Sequence, residues 1–231
     1  MAVRLTVSRD TLADALTIAE RAAAARDTLP VLSGVRLVAE NGQLRICATD
    51  LELGAWLQVP AAVLSPGDRV VEAKLLTALV RRLPGPDVVL YLADDGTTVE
   101  VQCGSARFSL RSVGSEEFPE LQVVSQGWEV HLPGEQLAEA VRQTLFCAAP
   151  AEQRPVLSGV LVELEGQLLK WVATDGSRLA YREVPLEAPP KALGGAAAFP
   201  RVILPARAVA EMERLAPGAA RIAAGAYAPV G

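Results

Sequence analysis

The sequence is poor in the residues that do chemistry. His131 is the one histidine in 231 residues, so any site that needs two imidazoles is excluded. The three cysteines, Cys47, Cys103 and Cys147, stand far apart with no C-x-x-C spacing. That leaves neither a zinc knuckle nor a disulfide framework, and they read as small apolar side chains in a reducing compartment. Aromatics are 4% of the residues, and Trp56, Trp128 and Trp171 are widely separated. Stacking of bases along a single strand is therefore not expected. No apolar run approaches the roughly 18–20 residues of a membrane span. The first ten residues carry Arg4, Arg9 and Asp10 and no apolar signal core. The expectation is a cytoplasmic protein without membrane contact. The phosphate-cradling and nucleophile patterns G-x-x-x-x-G-K-[ST], G-x-G-x-x-G and G-x-S-x-G are missing. No catalytic residue, metal or cofactor is expected.

Apolar residues, by contrast, are plentiful at 51%, which excludes disorder and allows one large core or two. The net charge of −5 argues against a surface that grips nucleic acid everywhere. It leaves room for basic residues gathered on one face.

The chain repeats itself. Pro30-Val31-Leu32-Ser33-Gly34-Val35 returns as Pro155-Val156-Leu157-Ser158-Gly159-Val160, an offset of 125. Ala48-Thr49-Asp50 returns as Ala173-Thr174-Asp175, and Leu12-Ala13-Asp14-Ala15 as Leu137-Ala138-Glu139-Ala140, at the same offset. Two copies of one module of about 125 residues follow. Each copy is double in turn. Strands near Leu5, Arg69, Glu129 and Arg201 each run at once into an amphipathic helix. The helices are expected over 9–26, 72–83, 134–147 and 205–215. Hairpin signals fall at Asn41-Gly42, Glu165-Gly166 and Asp95-Gly96. The half-module is thus strand, helix and about three strands. One apolar face per helix and one wet face per sheet imply an α+β fold in two layers.

Setting Gly231 against Gly104, the second copy has no counterpart to Ser105–Leu110 or to Glu117–Pro119. The sequence reading is therefore of a fragment or a natural short form. His131 falls in an alternating strand at a position matched by Thr6, and reads as a half-buried strand residue. Thr49-Asp50-Leu51-Glu52 and Thr174-Asp175-Gly176 read as turn chemistry at strand ends rather than metal sites. The four helical segments hold nine basic and eight acidic residues, so they are slightly cationic in an acidic chain. Arg21 and Arg26 cluster at the end of the first, Arg81 and Arg82 at the end of the second. Such cations also complement the helix dipole. Any DNA contact is expected to be with duplex phosphates, without sequence readout.

Several motifs together resemble the bacterial sliding clamps, the beta subunits of DNA polymerase III. They are Thr28–Gly34, Ala48–Glu52, Arg107–Leu110, Glu117–Pro119, Arg154–Gly159 and Val172–Ala180. The resemblance runs in order along the whole chain. It implies the DNA clamp fold, with repeated β-α-β-β-β half-modules and helices on one face of antiparallel sheets. It implies a first clamp domain at 1–125 and a second, C-terminally incomplete, at 126–231, with the third domain absent. The family is non-catalytic, a subunit of a polymerase holoenzyme. Its homodimeric ring encircles double-stranded DNA and tethers the replicative polymerase, the clamp loader and repair proteins through a peptide groove.

By the same resemblance, Arg26, Lys74 and Arg81 match DNA-contacting positions. Pro155 and Val156 stand where some members carry aromatic DNA contacts. Leu157, Thr174, Gly176, Arg178 and Leu179 match one wall of the peptide groove. Arg107, Phe108 and Leu110 match the ring-dimer edge, where Phe108 and Leu110 are expected on an exposed edge strand. The resemblance also implies that these 231 residues alone neither close the ring nor hold a peptide well. Two other readings stay open: a short clamp-like decoy that binds partners without encircling DNA, and a hydrolase built on His131.

Overall fold

A computed structural model of the chain describes residues 3–25, 29–92, 97–121, 127–150, 154–194, 201–216 and 222–224. The chain divides into two units, residues 1–122 and 123–231.

In the first unit, β1 (Val3–Ser8) runs directly into α1 (Arg9–Ala22). Leu12, Ala15, Leu16 and Ala19 recur at helical spacing and are all buried. The meander β2 (Gly34–Glu40), β3 (Gln43–Thr49) and β4 (Gly54–Pro60) follows, then the short β5 (Ala62–Val63). The second half repeats the plan with β6 (Gly67–Glu72), α2 (Ala73–Val80), β7 (Asp87–Leu92), β8 (Thr98–Cys103) and β9 (Ala106–Val113). The β2–β3 hairpin closes through Asn41-Gly42, with φ of 50° and 75° at the two positions and Glu40 opposite Gln43. Both central residues are left-handed, the type I′ geometry that matches the strand twist.

The sheet order is β4-β3-β2-β6-β9-β8-β7-β1-β5, antiparallel at each pairing. Each half therefore lends its first strand to the other. β6 completes the β2–β4 sheet, and β1 completes the β7–β9 sheet. The core is the layer between the two helices and one sheet face, with Leu5, Leu12, Leu16, Leu37, Ile46, Leu76 and Leu90 at most 1% exposed.

Both helices end earlier than the spacing suggests. Ala23 is extended, and the N–H of Ala24 donates to Leu32 O at 2.8 Å. This ties the chain to a single 3-10 turn at Pro30–Ser33. α2 stops at Val80, where the N–H groups of Arg82 and Leu83 turn back to Leu79 O and Val80 O. Pro84 disfavours a helical conformation at Leu83, so Arg81 and Arg82 lie in the turn. β9 also departs from expectation. It stands between β6 and β8, but β6 reaches it only at Val70–Val113 and Val71–Ser112. Among the described residues, the Ala106–Arg111 stretch has β8 on one side and no strand on the other.

The second unit contains β10 (Gly127–Val130), α3 (Gly134–Thr144), β11 (Gly159–Glu165), β12 (Leu168–Thr174) and β13 (Leu179–Pro185). It continues with β14 (Lys191–Leu193), β15 (Val202–Pro205), α4 (Ala206–Leu215) and β16 (Ile222–Ala224). The pairing repeats: β13-β12-β11-β15 mirrors β4-β3-β2-β6, and β10 lies between β14 and β16 as β1 lies between β5 and β7. β11, β12 and β13 keep the offset of 125 from β2, β3 and β4. α4 lies 133 residues after α2, because the connection carrying β14 is longer. On that spacing Gly231 corresponds to Thr98, not Gly104.

α3 gives way after Thr144 to a 3-10 turn at Leu145–Cys147. The β11–β12 turn is Gly166-Gln167, one residue later than expected, with Glu165 opposite Leu168. His131 lies beyond the end of β10, exposed, with Nε2 2.8 Å from Glu129 Oε1. The chain is already turning into Pro133, the N-cap of α3. The Asp95-Gly96 signal lies outside the described residues.

Leu12 and its repeat counterpart Leu137 are both fully buried. Leu12→Ala and Leu137→Ala are each expected to lower the unfolding free energy by about 2–5 kcal/mol in urea titrations.

Candidate functional site: a cationic helix stripe and a braced turn

α2 buries Ala73, Leu76, Thr77 and Val80. The buried hydroxyl of Thr77 donates to Ala73 O at 2.8 Å, so it leaves no unmet polar group. The opposite side carries Lys74 and, just past the helix end, Arg81, both exposed. Seven residues are two turns, so these two cations share one stripe about 10 Å apart. Among the described residues, Lys74, Arg81 and Arg82 form no ion pair. The helices of the second unit differ. There Arg142 lies 3.7 Å from Glu213, Arg214 pairs with Glu211, and Arg182 lies 3.6 Å from Glu139. Arg26 lies outside the described residues.

The second feature is the turn between β12 and β13. Thr174 Oγ1 accepts from the Gly176 N–H at 3.1 Å and donates to Arg178 O at 2.7 Å. Asp175 Oδ1 accepts from the N–H groups of Ser177 and Arg178 at 2.9 and 3.0 Å. These two backbone donors, then the Arg178 side chain, hold the Asp175 carboxyl below its usual range. Gly176 sits at φ +91°, which explains a glycine there. Arg178 braces the turn. Its Nε donates to Asp175 Oδ2 at 3.0 Å and its Nη2 to Phe146 O at 2.9 Å, and its guanidinium lies 5.6 Å from the Phe146 ring centre.

Around this brace, Phe146, Val156 and Leu179 are 58%, 71% and 63% exposed, and Leu157 is half-buried. Exposed apolar side chains beside a fixed guanidinium are what an apolar peptide anchor needs. Of the groove residues expected from sequence, Thr174, Gly176, Arg178 and Leu179 thus share one turn. Leu157 sits on the 3-10 turn at Pro155–Leu157. Sequence reasoning missed Phe146. The available signal was an aromatic ring just past the α3 stripe, where the first copy has Arg21.

The first unit contains the same turn. Thr49 Oγ1 accepts from the Leu51 N–H at 3.0 Å and donates to Leu53 O at 2.9 Å, and Asp50 Oδ1 accepts from Glu52 and Leu53. Leu51 stands where Gly176 does, at φ +75° and 64% exposed. The expected dimer-edge residues divide. Arg107 and Phe108 are exposed, whereas Leu110 is 7% exposed and belongs to the core. Leu110 and Ser112 point inward, and Phe108, on the same strand face two residues earlier, is 41% exposed, so the expectation that both apolar residues are exposed is corrected at Leu110.

Helix pairs laid on one face of strand-exchanged antiparallel sheets, duplicated within one chain, define the DNA-clamp class of fold. Family models match both units: the N-terminal domain of the DNA polymerase III beta subunit over residues 3–122, and its central domain over 131–224. The chain belongs to the DNA polymerase III beta subunit family. It is 38% identical over 181 residues to the beta sliding clamp of Streptomyces coelicolor, covering 78% of this chain and 47% of that protein. It is 35% identical over 227 residues to the beta sliding clamp of Synechocystis, covering 92% and 58%. The chain thus spans about half the length of the curated relatives it matches. Among solved structures, Caulobacter crescentus pol III beta matches with a TM-score of 0.81 and 33% identity over 94% of this chain and 58% of that one. The Pseudomonas aeruginosa sliding clamp bound to griselimycin matches with a TM-score of 0.83 and 29% identity over 94% and 57%.

Leu51→Gly is expected to stabilise the first unit by about 1 kcal/mol, because it removes a Cβ from a left-handed position. A urea titration measures this. The Asp175 turn is expected to respond to acid. Its contribution is complete above the ordinary carboxylate range and is lost as pH falls through the depressed value. The amide resonances of Ser177 and Arg178 should move together over that range, and Asp175→Asn should remove the transition.

Proposed function

We propose that this chain works as part of a sliding clamp, a non-catalytic processivity factor that holds a DNA polymerase on duplex DNA. The observation that carries the reading is the α2 stripe. Lys74 on α2 and Arg81 just past its end make no ion pair among the described residues, in a chain whose net charge is −5. Such a stripe attracts phosphates without reading bases and without gripping the duplex over a broad surface. Lys74 and Arg81, with Arg26 by family resemblance, are the proposed phosphate contacts.

The braced turn is the proposed wall for polymerase, clamp-loader and repair-protein peptides, with Leu157 and Leu179 as apolar contacts and Arg178 as the polar one. The open side of β9 at Arg107 and Phe108 is the proposed ring-dimer edge, where a partner strand meets unpaired backbone. In this role the chain needs no cofactor or metal, and it acts in the bacterial cytoplasm.

The test is duplex binding as a function of salt, read by anisotropy of a labelled 20-base-pair duplex. Each lost phosphate contact lowers the slope of log K against log salt by about 0.9. The double variant Lys74→Ala/Arg81→Ala should therefore flatten the slope by about 2. Arg214→Ala, whose charge is already met by Glu211, should leave it unchanged. An unchanged slope in the double variant would reject the stripe as the DNA contact.

A further inference from the structure

The first unit's sheet carries a cavity of about 300 Å³ on the face that looks away from α1 and α2. That volume is at the small end of ligand sites, enough for one planar ring system. Val38, Arg45 and Cys47 form its floor, with Trp56 beside them on the edge strand β4 and residues 118–121 as a further wall. Phe118 is buried in a small core with Val31, Leu32, Cys47 and Val70, which fixes that wall to the sheet. Trp56 is 48% exposed and offers ring surface for stacking.

The polar groups of this cavity are fixed and of both kinds. Arg36, which also lines it, is pinned by Asp68. Its Nε donates to the two carboxylate oxygens at 3.1 and 3.0 Å and its Nη2 to Oδ2 at 2.6 Å. Among the described residues its Nη1 meets no acceptor. Asp68 first, and Glu120 more weakly, hold Arg36 in its charged form, so Glu120 lies within electrostatic reach of it. Glu120 is exposed and makes no ion pair among the described residues. Arg45 pairs with Glu40, and burial pushes the Cys47 thiol up, which keeps it neutral. Two guanidiniums against three carboxylates leave a net −1, so an anion is not favoured. A neutral ring with both donors and acceptors is. The scaffold itself does not require this set, because Leu161 and Val172 stand at the positions of Arg36 and Cys47 in the second copy.

We propose that this cavity binds a guanine base, stacked on Trp56, with Glu120 accepting from its N1–H and N2–H₂ edge and Arg36 donating to O6 or N7. Among the bases, guanine alone sets a two-donor edge next to a two-acceptor edge. Adjacent edges match a carboxylate and a guanidinium that lie within reach of each other. An adjoining hollow of about 170 Å³ shares Arg45 and Trp56 and adds the amides of Asn41, Gln43 and Gln58, which suit the hydroxyls of a sugar. Its two charged groups, Arg45 and Glu40, pair with each other, so a phosphate is not part of what is recognised. The site is separate from the α2 stripe, and its test does not depend on duplex binding.

The probe is guanosine, titrated against the full chain. The three tryptophans give three indole N–H resonances, and that of Trp56 is the one lost in Trp56→Phe. It should shift saturably below ~1 mM guanosine. Calorimetry then compares ligands and variants. Inosine, which lacks the N2 amine, should bind at least fivefold more weakly, because a hydrogen bond to a charged acceptor is lost. Adenosine should bind at least tenfold more weakly. Glu120→Gln should cut guanosine binding at least fivefold and narrow its margin over inosine. Trp56→Ala should weaken both ligands at least fivefold, with the circular dichroism spectrum unchanged. GMP and an oligothymidine strand carrying one guanine separate the sources: whichever keeps guanosine's preference over its adenine counterpart supplies the base. No saturable shift of the Trp56 resonance, equal affinity for guanosine and adenosine, or indifference to Glu120→Gln overturns the proposal.

Discussion

The lending of one strand by each half-module to its twin is the constraint on which the rest of this structure depends. β1 leaves its own meander to pair with β7, and β6 leaves its own to pair with β2. A half-module alone has a three-stranded meander with a bare edge and one helix on a sheet too narrow to cover it. Exchange closes both edges at once and brings the two helices side by side over one core. The unit of folding is therefore the pair of halves, and the sequence repeats at 125 residues rather than at half that length.

This arrangement covers only one face of each sheet, and the two faces are held to different standards. Core positions match between the copies: Leu12 with Leu137, Val35 with Val160, Ala48 with Ala173. A buried position admits few volumes without a cavity or a clash. On the outer face the cross-strand row Trp56, Cys47, Arg36 and Val70 corresponds to Tyr181, Val172, Leu161 and Ile203, with no residue shared. Outside, the same scaffold carries an Arg36–Asp68 ion pair with a covering Phe118 in one unit and an apolar row in the other. The repeat is thus legible in the core while the interaction surfaces diverge on the opposite face.

The same distinction explains what the sequence revealed and what it hid. Periodicity located all four helices and the β2–β3 hairpin, because apolar spacing and Asn-Gly turn chemistry are local. Helix ends were harder to see. The run Ala22-Ala23-Ala24-Ala25 favours helix by propensity, yet α1 stops because Ala24 donates to Leu32, a contact no local pattern announces. The fate of Leu110 was hidden for a similar reason. An edge strand was expected to expose both Phe108 and Leu110, which share one face, but Leu110 packs into the core while Phe108 stays 41% exposed. Of the candidate site, the turn at Thr174-Asp175-Gly176 was legible from its turn chemistry, and its groove role only from the family resemblance. The brace from Arg178 to Phe146 spans 32 residues and emerged only in three dimensions.

Charge shows most clearly why a count differs from an arrangement. Nine basic residues against eight acidic ones on the helical segments predict almost no field. The structure sorts them. Arg142 and Arg214 sit by Glu213 and Glu211, so each presents a dipole and attracts a distant phosphate weakly. Among the described residues Lys74 and Arg81 make no ion pair and present whole charges. In water those charges reach only about one Debye length, roughly 8–10 Å at moderate salt. Their influence is confined to a ligand that comes close to α2. Long side chains without an ion pair among the described residues impose no register on a phosphate backbone, whereas Arg178, held to Asp175 and Phe146, imposes geometry. Exposed cations suit a loose contact, and a braced arginine suits a fixed one.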